Sequence, residues 1–196
     1  MGNKFKIGCI AGVIVFILIV GLIVVGYIVN ARNNMVKMEV EVEEAWAQVQ
    51  NVYQRRLDLI PNLANSVRAY MKLEKDIFEL IANARASTNT AESPQEIEKA
   101  NQEINSLIRD IRVIVEDTPE LKASETVRDL MVQLEGTENR IAVERRTFNE
   151  KVRNYNTYIR MWPRNVIARW FGFEPKEFFE AEEGAETAPE VDIEVD

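Results

Sequence analysis

Apolar positions along this chain fall into two regimes. From Ile7 to Val29 they form an unbroken run without a charge. At a helical rise of about 1.5 Å per residue the run covers about 34 Å, enough to cross a hydrocarbon core of roughly 30 Å. Beyond it, apolar residues recur every three or four positions, the spacing of a helix with one buried face. Val42, Trp46, Val49, Tyr53 and Leu57 make one stripe, and Leu63, Val67, Met71, Ile77, Leu80 and Ala84 a second. Ile97, Ile104, Leu107, Ile111 and Ile114 make a third; Val127, Leu130, Leu134, Ile141, Phe148, Val152, Tyr155, Ile159 and Trp162 make a fourth. Nothing alternates with the two-residue period of a strand. The expected fold is all-α: an N-terminal transmembrane helix followed by an antiparallel four-helix bundle with long helices.

Local chemistry marks several boundaries. Ser93-Pro94-Gln95-Glu96 is a capping box with proline at the first helical position, where its missing amide does no harm. Asp117-Thr118-Pro119 closes that helix and opens the last one, which should run to about Met161 before Trp162-Pro163 stops it. Pro61 is harder to place, because the stripe keeps its phase through Leu57, Ile60 and Leu63 and no glycine offers a turn. A mere kink there would make a first helix of about 75 Å whose membrane-proximal half, with Trp46 and Val49, lacks a partner. Reversal at Leu59 to Asn62 gives three segments of roughly 35–40 Å and a final one of about 60 Å, which close as a bundle. The reading adopted is reversal, with the kink as its alternative.

The apolar run is expected to stay in place as a single-pass anchor in the cell (inner) membrane. A cleaved signal would need a shorter core and a small-residue cleavage site, whereas the run ends Gly26-Tyr27-Ile28-Val29-Asn30. Myristoylation would want Ser or Thr where Lys6 stands, and Cys9 has too little apolar sequence before it for a lipoprotein signal. Lys4 and Lys6 before the run balance Arg32 and Lys37 after it, so the side on which the bundle lies is undetermined. Gly8 and Gly12 form a weak Gly-x-x-x-Gly signal for self-association. The chain divides into a tail at 1–6, the anchor at 7–29, a bundle at 35–161, an aromatic and basic segment at 162–180, and an acidic tail at 181–196.

Charge sharpens the last division. The net charge is −8, from 24 Lys+Arg and 32 Asp+Glu, and seven of the acids lie after residue 180 without a base, leaving −1 upstream. A tail of that composition cannot bury enough surface to order itself and is expected to be disordered. Without a dominant basic stripe, nucleic-acid binding loses its electrostatic footing. The chain has no histidine, which removes di-iron Glu-x-x-His centres and His-based triads. A carboxylate pair such as Glu138 and Glu144 could in principle do acid-base work, but salt-bridged structural glutamates look the same. Gly136 sits in a helical stripe and is expected to permit close helix packing. We expect no catalytic, cofactor or metal site.

Two polar groups interrupt the stripes. Arg55, Arg56, Asp58, Asn62 and Asn65 surround Pro61, and Glu138, Asn139, Arg140, Glu144, Arg145 and Arg146 lie between Leu134 and Phe148. Buried charge is costly unless paired, so the groups should satisfy one another across the bundle, with Asp58 facing Arg145 and Arg146. Fixing register is the first reading of this network, and a ligand or partner site the second. After the fourth stripe, Trp162, Arg164, Arg169, Trp170 and Phe171 combine aromatic and basic character. That composition suits a lipid headgroup layer, while the plainer reading folds the segment back as a cap on the core, as Phe178-Phe179 could also do.

Several stretches together resemble the bacterial LemA family. They are Trp46-Ala47-Gln48-Val49, Gln54-Arg55-Arg56-x-Asp58-Leu59-Ile60-Pro61-Asn62-Leu63, Gly136-Thr137-Glu138-Asn139-Arg140-Ile141, Arg145-Arg146-x-Phe148-Asn149-Glu150, Tyr155-Asn156-Thr157-x-Ile159-Arg160 and Phe171-Gly172-Phe173-x-Pro175. The resemblance spans Met35 to Ala181 and implies a membrane-anchored helical bundle with its N-terminal tail outside the cell and no enzymatic activity. The expected function is a non-catalytic scaffold or adaptor that meets the bilayer through 7–29 and a protein partner through the bundle. The alternative is a membrane-tethered sensor using the cluster around Pro61 and Glu138 to Arg146; it would need an output module, and none follows the bundle.

Overall fold

The computed structural model describes the backbone of residues 2–68 and 76–180 and the side chains of 12–68 and 79–180. Every regular element among them is a helix: α1 (Gly2–Val67), α2 (Asp76–Thr90), α3 (Pro94–Asp117), α4 (Pro119–Ala123), α5 (Glu125–Arg160) and α6 (Arg164–Phe171). The readings that rest on Met71, on the acidic tail at 181–196, and on the side-chain surroundings of Gly8, Cys9 and Ile77 lie outside what the structure describes.

The largest departure from expectation is at Pro61, where the chain does not reverse. α1 runs through Pro61 to Val67. Proline lacks the amide that would bond the carbonyl four residues earlier, at Leu57. In the structure that carbonyl accepts a hydrogen bond from Arg85 Nη2 of α2 at 3.3 Å, and the same nitrogen reaches Asp58 Oδ1 at 2.6 Å. The gap in the helical ladder is therefore filled from outside, and the helix survives.

Two compact units share the chain. The first comprises Met1–Asn51 and Arg146–Lys176, the second Val52–Arg145 with Glu177–Asp196. In the first unit, Met35, Val42, Ala45 and Val49 of α1 are buried, as are Phe148, Val152, Tyr155 and Ile159 of α5 and Ile167 and Ala168 of α6. Trp46 meets Phe148 with ring centroids 5.3 Å apart, and Lys151 Nζ lies 3.0 Å from Glu41 Oε2. The membrane-proximal half of α1 thus has a partner after all. α5 is 36 residues long, about 54 Å, and its second half runs along α1 as far as this unit needs.

In the second unit five helices share one core, α4 contributing Leu121. Leu57, Ile60, Leu63 and Val67 of α1 bury with Ile81 and Ala84 of α2, Ile104, Ile108 and Ile111 of α3, and Val127, Leu130 and Leu134 of α5. Ser93 caps α3 as expected: its hydroxyl accepts from the Glu96 amide at 3.3 Å, while the Glu96 carboxylate accepts from the amide of Glu92 at 2.9 Å. The final helix is interrupted, since α4 ends at Ala123 and Ser124 separates it from α5. Gly136 does not mark a close approach, because a Cβ there would meet nothing within 4 Å.

The apolar stretch of α1 is the exception to all this burial. No part of its most apolar window is covered by protein, and α1 is the one helix among the described residues long and apolar enough to cross a membrane.

Candidate functional site

Arg56 anchors the polar network in the second unit. It projects from α1 with its side chain 9% exposed, donates from Nη1 to Asn105 Oδ1 of α3 at 2.8 Å, and reaches Glu138 Oε1 of α5 at 2.9 Å. Arg112 approaches the other oxygen of the same carboxylate at 3.4 Å. Three helices are thereby tied through one guanidinium, whose fixed fork of donors suits this purpose. Burial pushes the Arg56 pKa down while the Glu138 carboxylate opposes the shift. A second node lies at Arg145, which is ion-paired with Glu98, stands 4.8 Å from the Phe179 ring centroid and donates to the Glu180 carbonyl at 3.1 Å. Tyr53 lies within its field, but burial dominates and raises the phenol's pKa.

The expected pairing between Asp58 and the arginines at 145 and 146 does not form. Asp58 is 56% exposed and pairs with Arg85, because α1 continues past Pro61 and turns this face toward α2. Arg55, Asn62, Asn139, Arg140 and Arg146 are exposed, and Glu144 is half-buried. Of the eleven residues in the sequence-derived cluster, the structure thus joins Arg56 with Glu138 in one network and puts Arg145 in another.

In the first unit the aromatic and basic segment is two-sided. Ile167 and Ala168 are buried, whereas Trp162 and Trp170 are 81% and 77% exposed. Arg164 stacks on Tyr158 at 4.1 Å, and Arg32 stands over Phe171 at 5.4 Å. Gly172 ends α6 in the left-handed conformation at φ 77°, which glycine adopts without strain. Past it, Asn156 binds the backbone of Lys176 twice: its Nδ2 donates to the carbonyl at 2.8 Å and its Oδ1 accepts from the amide at 2.9 Å.

Sequence reasoning missed Arg85, Asn105, Arg112, Glu98 and Asn156. Only Asn156 carried a usable signal, an amide between Tyr155 and Ile159 in an otherwise apolar stripe. A groove of about 420 Å³ between α2 and α3 is lined by Asn83, Ser87, Thr90, Lys99 and Glu103 among others, and by no member of the sequence-derived cluster. Among the described residues no group of three His, Cys, Asp or Glu is placed to hold a metal ion.

Fold and site define a helical-bundle protein whose first helix carries an exposed apolar stretch. A sequence model of the LemA family matches residues 45–193, and the chain belongs to that family. It is also similar to magnetosome proteins MamQ 2 and MamQ 1 of Paramagnetospirillum magneticum strain AMB-1 and to magnetosome protein MamQ of Magnetospirillum gryphiswaldense strain MSR-1. Each is 25% identical over 181 residues, covering 79% of this chain and 66% of the relative. The chain therefore spans a little under two thirds of the length of the curated relatives it matches.

Proposed function

We propose that this protein is a non-catalytic, single-pass scaffold or adaptor that holds a helical bundle at the bacterial inner membrane and recruits a protein partner there. The observation that carries the reading is the continuity of α1, one helix bearing both the uncovered apolar stretch and the core residues Leu57, Ile60 and Leu63. Exposed apolar surface of that extent is stable only when lipid covers it. Membership of the LemA family supports the same architecture. The magnetosome named for the relatives belongs to those proteins. Within the bundle, the Arg56, Asn105 and Glu138 contacts tie helices together, which suits a rigid platform better than a reaction centre.

Affinity capture of the full-length chain from detergent-solubilised membranes, with the recovered proteins quantified, tests this. A stoichiometric protein partner lost on substitution of exposed bundle residues supports the adaptor. Recovery of the chain alone, together with small-molecule binding that depends on Arg56, would replace it with a ligand sensor.

A further inference from the structure

The side chains of α6 that the first unit leaves uncovered point to a second contact with the membrane. On α6, Val166 and Trp170 stand four residues apart and are 59% and 77% exposed, while Ile167 and Ala168 are buried; Trp162, in the turn before the helix, is 81% exposed. Such a stripe of large apolar groups, on and just before a short amphipathic helix, is unfavourable in water. Arg169 flanks the stripe, and residues 162–173 contain Arg164 and Arg169 but no acid.

Its position relative to the apolar stretch lies within one unit. Phe171, at the end of α6, sits under the guanidinium of Arg32, 5.4 Å from ring centroid to Cζ. Arg32 is three residues beyond Val29, where the apolar run ends, a helical rise of about 4.5 Å. The headgroup region adds roughly 5–7 Å to each side of the hydrocarbon core, so α6 ends at headgroup depth if the run spans the bilayer. Tryptophan is amphipathic and favours that layer, and arginine can meet lipid phosphate there.

We infer that α6, with the preceding Trp162, is an interfacial helix that rests its Trp162, Val166 and Trp170 stripe among anionic lipid headgroups at the foot of the span. The inference rests on the membrane anchorage proposed above. The occupant is the bilayer itself, because the stripe adjoins the surface that lipid already covers and its charge complements anionic headgroups. Two contacts, a span and an interfacial helix, restrict the tilt and rotation of the first unit at the membrane surface more than a span alone does.

The test reconstitutes the full chain into phosphatidylcholine and phosphatidylglycerol vesicles, with Trp46→Phe and Trp162→Phe leaving Trp170 as the sole tryptophan. Flotation with the vesicles checks the anchor, and quenching of Trp170 checks α6. The inference expects Trp170 emission shifted to the blue of the denatured chain's, protection from aqueous iodide, and stronger quenching by a headgroup spin label than by one at mid-chain. Arg169→Glu should reduce that headgroup quenching while flotation is kept. A chain that floats but leaves Trp170 open to iodide overturns the interfacial helix alone. Protection from iodide without quenching by either lipid label would show a protein surface, such as a second copy, on the stripe and would overturn it equally. Failure to float overturns the anchor and the inference together.

Discussion

Arg85 Nη2 lies 3.3 Å from the carbonyl oxygen of Leu57, the acceptor that Pro61 leaves without its helical donor. This contact lets a proline stand inside α1, six residues before its end, without stopping it there, and it comes from a residue on α2 rather than from α1 itself. A double-mutant cycle follows directly. Arg85→Ala should cost about 1 kcal/mol, since Arg85 is partly exposed and water can replace some of the bond. In a Pro61→Ala background the restored amide serves Leu57, and the same substitution should cost less. Equal costs in the two backgrounds, read by urea denaturation, would mean the two residues are not coupled.

Continuity of α1 can be measured within the second unit. Spin labels at positions 55 and 68, both exposed, should lie about 20 Å apart if the helix is continuous, the second label standing one residue past the end of α1. Reversal near Pro61 would bring them to roughly 10 Å, the spacing of neighbouring helices.

The polar network predicts unequal penalties for neighbouring residues. Arg56→Met leaves Glu138 and Asn105 without their buried donor and should destabilise by about 3 kcal/mol, toward the low end for a broken buried pair because Glu138 is 35% exposed. Asp58→Ala removes only a surface pair and should change stability by about 0–1 kcal/mol. Denaturation midpoints showing the reverse order would place the buried node at Asp58.

Tyr155 supplies a pH dependence. Its ring is fully buried, its hydroxyl has no hydrogen-bond partner among the described residues, and burial, with Glu39 and Glu174 adding to it, pushes the phenol up to about 12. A raised pKa means the folded state holds the proton more tightly than the unfolded chain. Stability from this group is complete below pH 10 and should fall by roughly 2–3 kcal/mol between pH 10 and 12. Tyr155→Phe should remove that alkaline loss and, by deleting an unpartnered hydroxyl, raise stability near neutrality by up to about 1 kcal/mol. An unchanged alkaline profile in the variant would assign the loss to other groups.

What was legible in the sequence was mostly periodic. The stripes marked the helices, and Ser93 with Glu96 marked the start of α3, because capping is decided by residues three apart. The end of α1 was not legible: no glycine or proline stands between Asn62 and Phe78, while Pro61 offers a breaker that the fold overrides through Arg85. That override depends on a residue 28 positions away on another helix, which no local pattern encodes. The same holds for the network. Arg56 was singled out as a charge among apolar neighbours, but its partners Asn105 and Arg112 lie on a face of α3 that looks like any solvated face in sequence. Asp58 was misassigned because the pairing was drawn from a reversed topology. Trp162 and Trp170 were recognisable by composition, whereas their exposure beside buried Ile167 and Ala168 required the structure.

The central claim is that the apolar stretch of α1 holds the chain in a bilayer. Extraction of membranes from cells expressing the full-length protein, first with high salt and then with alkaline carbonate, tests it most directly. The account predicts that the intact chain stays in the membrane pellet through both washes and is released only by detergent. Recovery of intact full-length protein in the soluble fraction would contradict it.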